Sequence, residues 1–423
     1  MKINVILISL VCFVTSHAFG QSELVKELNE NIIELKTIAP DSSFTDLSRL
    51  NNILKGKQMV GLGEATHATS EFFIYKHRLI KYLVEEKGFR VFIIEGDYTG
   101  SKAMNDYVVH GNGTLRDGLV GMGYGIWCRE EFVDLIKWFK TYNAGKTYKD
   151  KVKFYGCDIN NEVYVANKLK AYLNKSGQLT ETLKRGLTWI IDKEYRKKRS
   201  KGDADFKNSF LVELNDAFKS IENEKGIEEV FMNNCRREFE QILEMTFADR
   251  KTQIALRDKF MGENIEWIYD FENNQKAIFW AHNEHVKNDK VNSLQKPVGY
   301  YLKETFKDKY YSFGFGFNEG KVGGFNREVG KYDGFEVPEM SSKKLTDALF
   351  SQCAYPEFIL DFKSTNANKT ISKFLNTNLY QRAIGDGFHS KGTKSRHFRT
   401  GKLIDKYDGL IFIRKSTPPK QLK

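Results

Sequence analysis

Four short apolar runs in this chain finish in residues able to move protons. Met59–Leu62 leads through Gly63 to Glu64 and then His67. Val91–Ile94 ends in Glu95, Val152–Gly156 ends in Cys157-Asp158, and Ala277–Trp280 ends in Ala281-His282-Asn283-Glu284-His285. One acidic strand end is ordinary. Four brought to one crevice would converge imidazoles and several carboxylates, which is what hydrolytic acid–base chemistry requires. An imidazole titrates near neutral pH, and a neighbouring carboxylate fixes its tautomer and raises its basicity. The economical mechanism therefore has Glu64 holding His67 while His67 deprotonates water. Taken alone, His67 also reads as a turn histidine with a local hydrogen bond, and the other three strand ends weigh against that.

Rival chemistries are readable in the same residues. The Glu64/His67 and His282/His285 spacings could ligate a transition metal, with Glu95 or Asp158 completing the shell. A serine nucleophile has less support: no GxSxG elbow occurs, and neither Thr66 nor Ser70 sits in a nucleophile motif. Gly145-Lys146-Thr147 resembles the end of a P-loop, but Lys140 stands where the leading glycine should be.

The elements that must position these groups follow from periodicity. From Met59 to Tyr98 the pattern is strand–helix–strand, the helix running from Glu71 to Lys87 and stopped by Gly88. Phe72, Tyr75, Leu79 and Leu83 recur at helical spacing and should face a sheet. Thr69 or Ser70 is placed to cap the helix, with Glu71 in its first turn. A parallel crossover delivers Glu64 and Glu95 at the carboxyl ends of their strands, the edge where open α/β sheets bind ligands. Upstream, Leu24–Ile38 reads as an amphipathic segment and Thr45–Leu54 as a second short helix. Residues 100–127 carry many glycines around Tyr124 and Trp127 and read as a loop-rich stretch shaping a cleft. Residues 160–274 lack proline and show helical spacing, a helical insertion broken near Lys193–Asp205. Arg257-Asp258, Met261 and Asn264 lie on nearby turns of its last helix, a group that reads equally as a salt-bridged helix packed on the sheet. Tyr310–Phe317 and Gly409–Ile413 look like later strands, and the tail Ser416–Lys423 should fray. The expected fold class is α/β, a central mainly parallel or mixed sheet with flanking helices. The insertion 160–274 would form a lobe over the cleft, within one catalytic domain spanning 21–423.

Residues 1–20 read as a secretory signal peptide: Lys2, an apolar Val5–Val14, then Ala18-Phe19-Gly20 as the cleavage site. Cys12 within it lacks the context of a lipobox, so an exported, soluble product without stable membrane association is expected. The 423 residues can bury a large core. The formal charge of +11 invites a nucleic-acid reading, but the 66 Lys and Arg are spread among 55 Asp and Glu without the motifs of such a module. The dense runs Lys193–Lys201 and Lys391–Lys402 are more simply solvated loops. Cys128, Cys157, Cys235 and Cys353 match neither a zinc ribbon nor a redox CxxC, and buried thiols are as compatible with them as disulfides.

The blocks Gly63-Glu64-Ala65-Thr66-His67, Ser70-Glu71-Phe72-Phe73 with Lys76, Ile94-Glu95-Gly96 and Trp280-Ala281-His282-Asn283-x-His285-Val286 together resemble the erythromycin esterase family. Arg257-Asp258-x-x-Met261-x-x-Asn264 and Arg382-x-Ile384-Gly385 resemble its secondary motifs. The resemblance implies hydrolysis of the macrolactone ester of 14-membered macrolides with no cofactor or metal, and with it antibiotic resistance. It implies His67 as the water-activating base, Glu64 as the acid beside it, and Glu95 and His285 as further catalytic groups, with His282 in the same motif. Lys76 stands where some members carry arginine, a cation for the anionic intermediate, and lysine lacks the bidentate fork. Ala68 replaces a glycine common after this histidine. A macrolide bearing a dimethylamino sugar is a cation, and an acid-lined cleft with Tyr98, Tyr124, Trp127 and Asp158 would suit it. The expected partner is thus a small molecule and not nucleic acid, with a monomer as the expected state. Other readings are a hydrolase of the same fold acting on another ester or a glycan-linked substrate, metal-dependent or not, and a non-catalytic glycan-binding homologue.

Overall fold

The computed structural model describes residues 22–123, 125–192, 204–219, 226–326, 331–385 and 397–422. Residues 1–20, expected to be a signal peptide, Tyr124, the run Lys193–Lys201 and part of Lys391–Lys402 lie outside them.

The strands are β1 (Ile33–Glu34), β2 (Met59–Leu62), β3 (Val91–Asp97), β4 (Lys153–Asp158), β5 (Ala277–Trp280), β6 (Tyr310–Gly316), β7 (Glu319–Asn326), β8 (Lys331–Val337), β9 (Glu357–Asp361), β10 (Leu379–Arg382), β11 (Phe398–Gly401), β12 (Gly409–Ile413) and β13 (Lys415–Ser416). Eight of them form one sheet in the order β1-β9-β12-β6-β2-β5-β3-β4. From β12 to β4 every neighbour is parallel. β9 and β1 add an antiparallel edge. The fold is therefore mixed α/β with a large central sheet. The strands read as near-continuous apolar runs because both faces are covered. Val60, Leu62, Phe92, Ile94, Ile278 and Trp280 pack into the core on one face. Met59, Val91, Ile93, Ala277 and Phe279 pack on the other, as the two-residue period of a strand requires.

Helix α1 (Ser70–Glu85) lays Phe72, Tyr75, Leu79 and Leu83, all buried, against the first of these faces. Next come α2 (Glu130–Asn143), α3 (Ile227–Phe247), α4 (Arg250–Phe271) and the single turn α5 (Asn283–Val286). Within 160–274 the described residues are largely helical and share their own apolar cluster around Leu169, Leu187, Phe210, Leu214 and Phe239.

Several local expectations are overturned. Leu24–Ile38 is not one element: a helix over 22–31 stops and the chain becomes strand β1, whose Ile33 pairs with Ile359. The glycine-rich stretch after β3 is mostly short helix, Lys102–Asn105, Asp106–His110 and Leu115–Gly121. Gly121 serves close packing there, since a Cβ on it would meet the Gly100 carbonyl oxygen at 2.2 Å. The tail is tied down over residues 415–422. Ser70 N donates to Thr417 O, Thr417 N and Oγ1 donate to Glu71, Glu130 N donates to Lys420 O, and Lys420 N donates to Glu131. Thr69 makes no side-chain cap at the start of α1, and the tail carbonyl takes over that task. Cys128, Cys157, Cys235 and Cys353 are all thiols.

Candidate active site

The sheet register fixes where the functional groups emerge. Leu62 pairs with Trp280, Trp280 with Ile94, and Ile94 with Gly156, so these four residues form one row across β2, β5, β3 and β4. Glu64, His282, Glu95 and Asp158 follow that row by one or two residues, at the carboxyl edge. Gly63 is required where β2 gives way to the Glu64 turn: a Cβ there would meet Asn283 Oδ1 at 2.2 Å. Asn283 itself clamps its turn to strand β6, its Nδ2 donating to Phe315 O at 2.7 Å and its Oδ1 accepting from Phe315 N at 3.0 Å. The backbone N of Asn283 donates to Glu64 O at 2.8 Å. Ile384 N donates to Ala65 O, which seats the late Arg382-x-Ile384-Gly385 block on the same turn.

Glu64 is fully buried and three groups converge on it. Its Oε1 lies 2.5 Å from His67 Nδ1, and its Oε2 accepts from Lys76 Nζ at 2.6 Å and Trp280 Nε1 at 2.8 Å. Burial pushes the Glu64 carboxyl up, but Lys76 and then His67 outweigh it and hold it at about 2. Lys76 is itself fully buried, its ammonium 4.2 Å from the Trp280 ring centroid. Burial brings Lys76 down to about 8 although Glu64 pulls it up. This cation is thereby committed to Glu64 rather than to an intermediate.

A second network centres on Glu95. Its Oε2 accepts from His282 N at 2.9 Å, and its Oε1 lies 3.0 Å from Arg257 Nη2 and 3.3 Å from His285 Nε2. Arg257, from α4, forks onto Asp158 with Nε to Oδ1 at 2.9 Å and Nη2 to Oδ2 at 2.6 Å. Asp258, the next residue of α4, takes His285 Nδ1 at 2.5 Å. Burial pushes His285 down, yet Asp258 and Glu95 raise it to about 10 and keep it a cation. Glu95, which burial alone would raise, is held well below the ordinary carboxylate range by His285, then His67 and Arg257. Arg257 and Asp258 are the functional-looking residues that the strand-end reasoning passed over. Their adjacency on one helix was visible, but helical spacing cannot tell which strand a helix will face.

The two networks meet between His67 and His282, whose ring centroids are 5.1 Å apart. His282 Nδ1 accepts from Glu284 N at 3.2 Å, which places its proton on Nε2. That Nε2 is buried and has no hydrogen-bond partner among the described residues. Burial, then His67, lowers His282 to about 4, so the ring is neutral at neutral pH. Trp127 is buried beside His67 at 6.4 Å between centroids and donates from Nε1 to Glu95 O. Asp158 is buried beneath Arg257 rather than turned to a ligand. Tyr98 belongs to a neighbouring cavity, edge-on to Trp267 with its hydroxyl 3.3 Å from Arg237 Nη1. Tyr124 lies outside the described residues. Among the described residues no group of three or more His, Cys, Asp or Glu side chains is arranged to hold a metal ion. No helix among them is long and apolar enough to cross a membrane.

The family model for erythromycin esterase matches residues 84–416. The chain belongs to the erythromycin esterase family. Its curated relatives include erythromycin esterase type II of Escherichia coli, 26% identical over 72% of this chain and 80% of that protein. Among solved structures, one described as a succinoglycan biosynthesis protein superposes with a TM-score of 0.81 at 24% identity, covering 95% of this chain and 99% of that one. An erythromycin esterase mutant in its open conformation superposes with a TM-score of 0.67 at 15% identity, covering 91% and 98%. These likenesses agree with the architecture described above, and family membership makes this erythromycin-esterase-fold protein a hydrolase.

Proposed function

We propose that the protein opens the macrolactone ester of 14-membered macrolides by attack of water activated at His67. The observation that carries this reading is the 2.5 Å pairing of His67 Nδ1 with a buried carboxylate, Glu64, that Lys76 keeps ionised. With the Nδ1 proton held by Glu64, Nε2 is free of its proton and able to accept one from water. The water oxygen bonds to the carbonyl carbon as His67 takes that proton. The ester C–O bond then breaks, and His67 returns the proton to the departing alkoxide, giving an acid and an alcohol. Four carboxylates (Glu64, Glu95, Asp158, Asp258) face three cations (Lys76, Arg257, His285), so a proton on His67 brings the cluster to neutrality. The neutral His282, with its Nε2–H unpaired among the described residues and beside His67, is placed to receive the negative charge that grows on the carbonyl oxygen. Glu95 and His285 act by fixing His282 N and the α5 turn. No step calls on a cofactor.

This reading includes export, carried by the pattern of residues 1–20, and a contribution to macrolide resistance. The test is incubation with erythromycin and mass spectrometry for the gain of one water, run beside His67→Ala and beside protein treated with a chelator. Turnover that survives in His67→Ala removes the assigned base, and turnover abolished by the chelator replaces this mechanism with a metal-assisted one. The second reading, an ester carried on a glycan, is favoured by the superposition on the succinoglycan biosynthesis protein. Release of acyl groups from acylated oligosaccharide, with erythromycin left intact, would select it.

A further inference from the structure

A cavity of about 570 Å³ lies along the outer edge strand β4, walled by α3, α4 and the short helices after β3. None of the groups of the two catalytic networks lines it. Its size falls within the range of small-molecule sites. One wall is aromatic: Trp267 and Phe271 stack face to face at 4.9 Å and 12°, Tyr98 meets Trp267 edge-on at 6.0 Å, and Phe231 faces the same space. Phe271 is 45% exposed, so the outer face of this stack is open to the cavity.

The polar lining decides the kind of occupant. The charged groups are already paired. Lys102 Nζ sits 2.5 Å from Asp106 Oδ2, and Glu272 accepts from Tyr148 and Tyr155 while Lys153 Nζ stands 3.5 Å away. Among the described lining residues every carboxylate and ammonium faces an opposite charge, and His110 is stacked on Tyr148. The side-chain amides of Asn234, half-buried, and Asn273, exposed, by contrast, line the cavity and are open to hydrogen-bond with an occupant. A purely apolar occupant would cover these amides without satisfying them, at a penalty for each buried unpaired group. An uncharged ring with one C–H face and hydroxyls around its rim meets both demands: the C–H face lies on the open face of Phe271, the outer ring of the Trp267–Phe271 stack, and the hydroxyls reach the amides. We propose that this cavity is a binding site for a neutral saccharide, separate from the hydrolytic centre.

The sugar could belong to a free oligosaccharide or to the glycoside part of a small molecule, and the experiment separates the two. The full-length protein carrying His67→Ala is titrated with cellotetraose, with methyl glucoside, galactoside and rhamnoside, and with erythromycin, following tryptophan fluorescence. The expected result is saturable quenching by at least one sugar in the millimolar range or tighter. In Phe271→Ala that affinity should weaken at least fivefold, and in Asn234→Ala it should weaken several-fold. Both variants change side chains at the cavity surface, and circular dichroism identical to the parent shows that they fold. Quenching by cellotetraose assigns the site to a glycan chain, whereas quenching by erythromycin and the rhamnoside alone assigns it to a glycoside. No response to any of these sugars, or a response that Phe271→Ala leaves unchanged, overturns the proposal. So does quenching by an apolar dye alone. Because binding is read with the base removed, the outcome is independent of whether the macrolide reading stands.

Discussion

The Glu64 carboxylate sits where burial should make it neutral, and one lysine reverses that. Replacing Lys76 by Met should leave the buried Glu64 without its cation, held only by His67 and the Trp280 indole, a penalty of about 3–5 kcal/mol. In the parent, Glu64 lies at about 2, below the ordinary 4.5, so its stabilisation is complete above about 4.5 and lost as pH falls toward 2. In Lys76→Met the sign should invert, with burial raising Glu64 and stability dropping as pH rises through that raised value. Chemical denaturation at pH 5 and pH 8 checks this, and a variant equally stable at both would refute the pairing. His285 shows the opposite case. Its folded value of about 10 lies above the ordinary 6.5, so its contribution is present below about 6.5 and lost as pH rises through about 10. The stability of His285→Asn should therefore change less than the parent's between pH 6 and pH 10. For catalysis, His67→Ala should lower kcat by roughly 10²–10⁴-fold, the usual weight of a positioned base, with KM little changed.

At the scale of elements, the chemistry depends on two turns held against each other and on one helix laid across strand ends. Gly63→Ala would drive a methyl group into Asn283 Oδ1, and overpacking of that kind costs about 1–3 kcal/mol. The measurable result is a lower urea midpoint together with lost turnover, because the same shift separates Glu64 from Trp280. Arg257 ties α4 to β3 and β4 through Glu95 and Asp158. Lysine there keeps the charge but loses the fork. Arg257→Lys should lower kcat by about ten- to a hundredfold through misplacement of the His285–Glu95 pair, with a smaller effect on KM.

Over the whole molecule, the C-terminal tail closes the structure by crossing from β13 to the starts of α1 and α2. Deleting 417–423 removes its bonds to Ser70, Glu71, Glu130 and Glu131, worth about 2 kcal/mol or more together, and calorimetry should show a lower Tm. That tail reads as fraying because its partners lie far back in the chain. The same holds for much else that local pattern misjudged. By itself the sequence determined the apolar runs, the polar residue that ends each one and the helices between, since these follow from side-chain period and turn chemistry over a few residues. Strand–helix–strand spacing makes β2 and β3 look like neighbours, but β5 inserts between them and carries His282 into the gap between Glu64 and Glu95. Which strand fills that gap, that Arg257 and Asp258 reach the site, and that Lys76 lies beneath Glu64 were decided only in the tertiary structure. Sheet order and helix facing are set by burying both faces of the sheet at once, a condition on the whole chain that no local spacing expresses.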